Sequence, residues 1–195
     1  MRTYGYIYFN CDKKTAENAV NNVVFSQNSK DAKAMIEIIY QNGLKMLYSL
    51  QKREPTEFEK ESTYRAATER YRQETKKPEI RTVKHLTKIT HPTFSIETVS
   101  GKAQQISRVH PDMNICSVAG FDESVLQLCI YKAGKVITVH QIGDELGDMG
   151  MDLRKGEVKP ISSFFCVSED SVCQFLSIED VIDAEEYLFS ELIGT

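Results

Sequence analysis

The sequence predicts an α+β fold, with helices mainly in the N-terminal half, an antiparallel sheet of four or more strands in the C-terminal half, and a C-terminal helix packed on that sheet. Two observations predict this arrangement. Apolar residues recur at helical spacing through most of the first half, whereas short runs rich in aromatic and β-branched residues follow from about residue 93. A chain of 195 residues can bury one substantial core, so we expect a single domain over residues 1–195.

The N-terminal half begins with a strand and continues with helices. Alternating aromatic residues over 4–9 predict the strand, and alanine and valine at helical spacing over 13–25 predict the first helix. Ser29 is a candidate N-cap for a second helix, which the Asn-Gly pair at 42–43 should end. Apolar residues alternate with mostly polar ones over 44–51, and this pattern favours a strand.

The segment 53–90 is rich in charged residues. Thr56 and Glu59 have the spacing of a capping box, which predicts a helix from there to about Lys77. The apolar face of this helix is thin, so it has little to bury against a core. We therefore expect residues 53–90 to contain a charged helical segment that projects from the domain or is mobile.

The second half alternates short β-like runs with turns. The runs lie at 94–99, 114–119, 125–131 and 136–142. Residues 132–135, which include Gly134, predict a hairpin between the last two runs. A glycine-rich acidic loop follows, and the chain closes with three helical segments. The loop covers 143–152, and the helical segments lie near 161–165, 169–176 and 179–192.

The composition favours a water-soluble protein of the cytoplasm. No window approaches the roughly 18 to 20 continuous apolar residues of a membrane-spanning helix, and the first residues lack the pattern of a signal peptide. The five cysteines are widely spaced and odd in number, which is typical of reduced thiols rather than a disulfide framework. We expect a cytoplasmic location and no association with a membrane.

Charge is distributed unevenly along the chain. Residues 45–90 hold 12 Lys or Arg against 7 Asp or Glu, whereas residues 141–195 hold 3 basic against 13 acidic side chains. An acidic surface of this density either keeps the protein soluble or steers it to a cationic partner. The acidic residues that we predict to form an interaction surface are Asp144, Glu145, Asp148, Asp152, Glu179, Asp180, Asp183 and Glu186.

Catalytic and metal-binding patterns are weak. The carboxylates of the acidic loop match no EF-hand spacing, and no two cysteines have the separation of a zinc site, so we expect neither a metal nor a cofactor. The predicted hairpin places Cys129 opposite Thr138 and His140 opposite Gln127. Cys129 and His140 would then share a face of the sheet, as a nucleophile and its base must. A small hydrolase with an unrecognised site is therefore an alternative hypothesis.

The basic residues between 65 and 88 could meet a nucleic-acid backbone, which is a second alternative. Interspersed glutamates and the acidic C-terminal quarter weaken that hypothesis, and nucleic acid is an unfavoured partner. The interpretation that the sequence favours is a non-enzymatic protein-interaction module. In its most concrete form it inhibits a basic partner protein, as an immunity protein inhibits its toxin.

Overall fold

The computed structural model describes residues 3–23 and 32–194. Its contacts divide the chain into two compact units, one formed by Met1–Val24 with Pro78–Thr195 and the other by Phe25–Lys77. The predicted N-cap Ser29 lies outside the described residues. The α+β class is confirmed, because the described residues form both a six-stranded antiparallel sheet and a set of helices.

The strands in chain order are β1 Thr3–Phe9, β2 Glu79–Val83, β3 Leu86–Thr90, β4 Asn114–Phe121, β5 Val125–Lys132 and β6 Lys135–Gly143. The helices are α1 Lys13–Val23, α2 Ala32–Gln51, α3 Glu57–Glu74, α4 Val99–Val109, α5 Val158–Phe165, α6 Glu169–Leu176 and α7 Val181–Tyr187. A π-helical segment, Leu188–Ile193, continues α7 directly. All strands lie in one sheet in the order β2-β3-β1-β4-β5-β6.

The sheet has a helical layer on each face. Tyr8, Cys116 and Leu128 belong to the face on which the C-terminal helices pack, and Phe164 and Phe175 join them in one buried cluster. This confirms the predicted position of the C-terminal helix. The opposite face is covered by α4, where Ala103 and Ile106 are completely buried. Because both faces are covered, the central strands carry almost continuous runs of buried residues, as β5 does from Val125 to Tyr131.

Two strands of the sheet were not predicted. Residues 79–90, which fall inside the predicted charged segment 53–90, form β2 and β3 and pair with each other across a tight turn. Lys84 adopts a left-handed backbone conformation in that turn, with φ of 52°. These strands have five residues each, and β2 contains no fully buried residue, so hydrophobic alternation gives little signal for them.

The predicted strand at 44–51 is wrong, because α2 continues through the Asn-Gly pair at 42–43 to Gln51. Glycine inside a helix costs about 1 kcal/mol relative to alanine, which tertiary packing can offset. A Cβ atom at Gly43 would lie 2.7 Å from Cγ2 of Thr63, so the missing side chain lets α3 approach α2 closely. Tyr40 and Tyr64 pack edge to face beside this contact, with ring centroids 5.4 Å apart.

The predicted strand at 94–99 is also wrong. Phe94 and Ile96 are buried, but they lie in a turn that leads into α4. The Thr98 hydroxyl accepts a hydrogen bond from the Ser95 amide and donates one to the Thr93 carbonyl. Local hydrogen bonds of this kind compete with strand pairing.

The smaller unit is a hairpin of α2 and α3, and the predicted capping box starts its second helix. The Glu59 amide donates to the Thr56 hydroxyl oxygen, and the Thr56 amide donates to the Glu59 carboxylate. Two further bonds from the Arg53 guanidinium, at 2.8 and 2.9 Å, hold that carboxylate. No residue of α2 is fully buried, and Ala67 is the fully buried residue of α3, so the hairpin depends on such local interactions.

We expect Thr56→Ala to destabilise the hairpin by about 1 kcal/mol, because it removes the N-cap acceptor. Amide hydrogen exchange in α3 should become roughly fivefold faster, while exchange in the six-stranded sheet stays unchanged. Thr68→Ala is the matched control, since the Thr68 hydroxyl is exposed and bonds only back to the Tyr64 carbonyl of its own helix. Equal acceleration in both variants would contradict a capping role for Thr56.

Candidate functional site

Half of the predicted interaction residues lie on or beside α7. Glu179, Asp180, Asp183 and Glu186 are all exposed, whereas Val181 and Ala184 of the same helix are buried against the core. The Asp180 carboxylate accepts a hydrogen bond from the Asp183 amide at 3.0 Å, so Asp180 is also the N-cap of α7. Burial of the apolar side of α7 leaves the acidic side facing solvent.

A broad concave surface runs along α7 and the π-helical segment, with a volume of about 510 Å³. It is lined by Gln174, Ile178, Asp183, Glu186, Tyr187, Ser190 and Glu191. The Tyr187 hydroxyl donates a hydrogen bond to Oε1 of Gln174 at 3.0 Å, which ties α7 to α6 across this surface. Its described lining thus contains three carboxylates and no basic side chain.

A second cavity, of about 300 Å³, lies between α7 and the turn that joins β4 to β5. It is lined by Tyr4, Asp122, Glu123, Ile182, Glu185, Glu186 and Phe189. Glu186 lines both cavities, so the two form one acidic region, which we call the α7 acidic surface. Its carboxylates are those of Asp122, Glu123, Asp183, Glu185, Glu186 and Glu191.

Asp122 and Glu123 were not among the predicted site residues. They form the tight β4–β5 turn, with φ values of 47° and 63°. The sequence does contain an indication of this turn, because Asp122 and Glu123 lie between two β-like runs. A short acidic connection between two strands predicts a hairpin with both carboxylates at its tip. Proximity to α7 arises from the packing of distant segments, and the linear charge count could not reveal it.

The acidic loop 143–152 is only partly connected to this region. The Asp144 amide donates to the Ser124 carbonyl at 3.1 Å, which places Asp144 beside the β4–β5 turn. Asp152 instead lies at the edge of β6, where its carbonyl accepts a hydrogen bond from the Gln141 side chain and its carboxylate is 3.8 Å from Arg154. Of the eight predicted interaction residues, Asp183 and Glu186 line the cavities. The role of the others stays a prediction, because neither cavity is lined by Asp144, Glu145, Asp148, Asp152, Glu179 or Asp180.

The three tyrosines of β1 and Phe189 form an aromatic cluster next to the second cavity. The Tyr4 and Tyr6 rings stack with centroids 5.1 Å apart, and Phe189 packs edge to face on Tyr6 at 6.0 Å. The Lys88 ammonium lies 3.5 Å above the centre of the Tyr6 ring, a cation–π contact. Burial, together with nearby Arg81, lowers the pKa of Lys88.

The predicted pairing of Cys129 with His140 on one face is wrong. Tyr131 does pair with Val136, but a β-bulge follows, so that Ile130 pairs with Thr138 and Ile137 is skipped. A register shift of one residue moves side chains to the opposite face. Cys129 therefore lies on the face covered by α4, while His140 packs against Phe175 on the other face.

Cys129 belongs to a buried polar network under α4. The Ser100 hydroxyl, 3.2 Å from that of Ser117, donates to Oε1 of Gln127 at 2.7 Å, and Gln127 donates in turn to Gln141. Cys129 is only 4% exposed, and burial raises the pKa of its thiol. A buried thiol with a raised pKa is a poor nucleophile.

The basic residues between 65 and 88 are divided between the two units. Residues 65–77 belong to the helical hairpin unit and residues 78–88 to the sheet unit. Within α3 the arginines are ion-paired with glutamates on the same helix, as Arg65 is with Glu61 and Arg70 with Glu74. Such pairs neutralise the field that a phosphate backbone would need.

Within residues 3–23 and 32–194, no group of three or more histidine, cysteine or acidic side chains is arranged to hold a metal ion. The helices of that same part of the chain include none that is long and apolar enough to cross a membrane. Comparisons with protein-family models, with curated proteins and with solved structures found no match to this chain.

His140 predicts a specific dependence of stability on pH. Burial, with Lys155 nearby, lowers the pKa of His140 from 6.5 to about 4. The Gly156 amide points at its Nδ1 atom at 3.5 Å, a contact that favours the neutral ring, and burial outweighs the backbone hydrogen bond at Arg154 that favours the charged ring. The unfolded chain therefore binds a proton more readily, and stability is lost as the pH falls from about 6.5 to about 4.

We expect wild-type protein to lose about 2 kcal/mol through this group on going from neutral pH to roughly pH 4.5, on top of other titrations. Denaturant unfolding across that range should show a shallower pH dependence for His140→Phe, which cannot titrate. His85→Gln is the control, because His85 is exposed in the β2–β3 turn. The expectation fails if His140→Phe and wild type lose stability equally.

Proposed function

We propose that this chain is a non-enzymatic protein-interaction module that binds a basic partner protein through the α7 acidic surface. The observation that carries the proposal is the lining of the two cavities beside α7, where six carboxylates gather and the described lining has no lysine or arginine. Complementary potentials steer encounter and select partners, so a concave acidic surface favours a cationic, convex counterpart.

The distribution of charge between the two units supports the proposal. Residues 1–24 and 78–195 carry 13 basic and 20 acidic side chains, a net charge of −7, whereas residues 25–77 carry 11 basic and 8 acidic ones, a net charge of +3. The unit that contains α7 is therefore much more acidic than the whole chain, whose net charge is −4.

The surface also has a rigid base. Val181 is buried and Ala184 and Leu188 are completely buried, so the acidic side chains lie on a helix that the core holds in place. Interaction sites on rigid elements lose less conformational entropy on binding than sites on loops. Inhibition of a basic enzyme or toxin, in the manner of an immunity protein, is the concrete function that we propose.

The test compares partners captured from the native cells by three forms of the protein, each tagged at the N-terminus, with bound proteins identified by mass spectrometry. The forms are wild type, the pair Asp183→Asn with Glu186→Gln, and the control pair Glu97→Gln with Asp112→Asn. A further wild-type sample is washed at high salt. All four of these acidic residues are exposed, and the control pair lies outside both cavities.

We expect a stoichiometric basic protein to be retained by wild type and by the control pair. High salt and the α7 pair should each release it, and the α7 pair should weaken the purified complex by about tenfold or more. Retention that is indifferent to the α7 pair, or the absence of any basic protein above background, would overturn the proposal. Thermal melting of each variant verifies that it is folded.

A further inference from the structure

The cavity between α7 and the β4–β5 turn differs from the open acidic surface beside it, because it has an apolar floor. Tyr4, Ile182 and Phe189 provide aromatic and aliphatic surface, while Asp122, Glu123, Glu185 and Glu186 provide carboxylates. A ligand that fits must present both a positive charge and a flat or apolar body.

The sheet builds this floor by pairing a tyrosine with a glycine. Tyr4 of β1 lies opposite Gly120 of β4, and a Cβ atom at Gly120 would be only 2.4 Å from the Tyr4 ring. The ring can therefore lie over the backbone of β4. Phe189 of the π-helical segment closes on it from the side, with ring centroids 6.3 Å apart.

The same aromatic cluster already holds one cation. Lys88 places its ammonium 3.5 Å from the centre of the Tyr6 ring and 5.7 Å from that of Phe189. Tyr6 also stacks on Tyr4, so a π-rich surface extends from the Lys88 ammonium to the floor of the cavity. This contact is independent of the carboxylates and is a cation–π interaction within the aromatic cluster that borders the cavity.

The Tyr4 hydroxyl lies close to one of these carboxylates. Its oxygen is buried and interacts with Glu185. Burial, with the Glu185 carboxylate close by, raises the pKa of Tyr4 well above its ordinary range, so the hydroxyl stays neutral. Tyr4 and Glu185 therefore place a neutral aromatic ring and a carboxylate together in the lining of the cavity.

We propose that this cavity binds the side chain of a single arginine on the surface of the partner protein. Arginine combines the features that the cavity requires, because its planar guanidinium stacks on aromatic rings and its fixed fork of N–H donors pairs with carboxylates. The inference rests on the proposed function, and it identifies which side chain of a basic partner is anchored. Lysine has a compact ammonium that cannot stack or bind in a bidentate manner, so it fits less well.

The test uses three blocked pentapeptides with two glycines on each side of a central residue, which is arginine, citrulline or lysine. Citrulline has nearly the shape of arginine but no charge. Each is titrated into isotopically labelled wild-type protein and followed by NMR. We expect the arginine peptide to shift the Tyr4 and Phe189 ring signals and the Asp122 and Glu123 amides in a saturable manner, with the citrulline peptide weaker by about tenfold or more.

Two variants separate the rings from the carboxylates. Phe189→Leu keeps apolar volume but removes the ring, and Glu185→Gln removes one charge at nearly constant shape. We expect each to weaken arginine binding about fivefold to tenfold. Glu97→Gln, an exposed charge outside the cavity, is the matched control and should bind as wild type does.

The arginine site is overturned if citrulline binds as well as arginine, if lysine binds as well as arginine, or if the shifts do not include Tyr4 and Phe189. The comparison of peptides on wild-type protein needs no variant, so it is independent of any folding defect. Failure here leaves capture of a basic partner through Asp183 and Glu186 intact. Conversely, arginine binding without a captured partner would keep the site and remove the proposed function.

Discussion

The pairing of β1 with both β3 and β4 is the interaction on which the rest of the larger unit depends. Phe9 pairs with Thr87 on one side and with Ile115 on the other. β1 therefore lies between two strands that follow it in the sequence by about 80 and 110 residues. Closing loops of that length costs conformational entropy, which must be offset by burial. Ile7, Tyr8 and Phe9 supply it, because all three are completely buried.

Successive side chains of β1 point to opposite faces of the sheet, so each helical layer contacts a different set of β1 residues. Ile7 and Phe9 point to the face covered by α4, and Tyr4, Tyr6 and Tyr8 point to the face covered by the C-terminal helices. The tyrosines do two things at once. Tyr8 is part of the buried core, whereas Tyr4 reaches the edge of that core and becomes the floor of the acidic cavity.

A one-residue bulge in the β5–β6 hairpin explains why the hypothesis of a Cys129–His140 catalytic pair fails. The turn and the first pair, Tyr131 with Val136, follow from the sequence, because glycine and loop length determine a hairpin locally. The bulge that skips Ile137 has no comparable local sequence pattern, because its position depends on how the two faces of the sheet pack against the helices. It transfers His140 to Phe175 and leaves Cys129 in a polar network beneath α4.

Much of the fold follows from local patterns, and the exceptions share a cause. β1, the hairpin, the capping box and the C-terminal helices were predictable because a periodicity or a cap identifies each one. The two errors, the strand predicted at 44–51 and the failure to predict β2 and β3, have the same origin. The actual structure of these segments depends on contacts with residues elsewhere in the chain, such as the approach of Thr63 to Gly43 and the pairing of β2 with β3. The acidic side of α7 could be predicted from its sequence, but the addition of Asp122 and Glu123 could not, because only tertiary packing joins that turn to the helix.

The π-helical segment that follows α7 connects the core to the acidic surface. Leu188, Leu192 and Ile193 are buried, while Phe189 is partly exposed and lies between Tyr6 and the cavity. A π-helix widens the turn and changes which side chains share a face, and such segments occur frequently at functional sites. Phe189 is the second residue of this segment, so it lies about one helical turn after Glu185 and Glu186. The segment whose apolar residues close the core therefore also carries the aromatic ring that lines the cavity with these carboxylates.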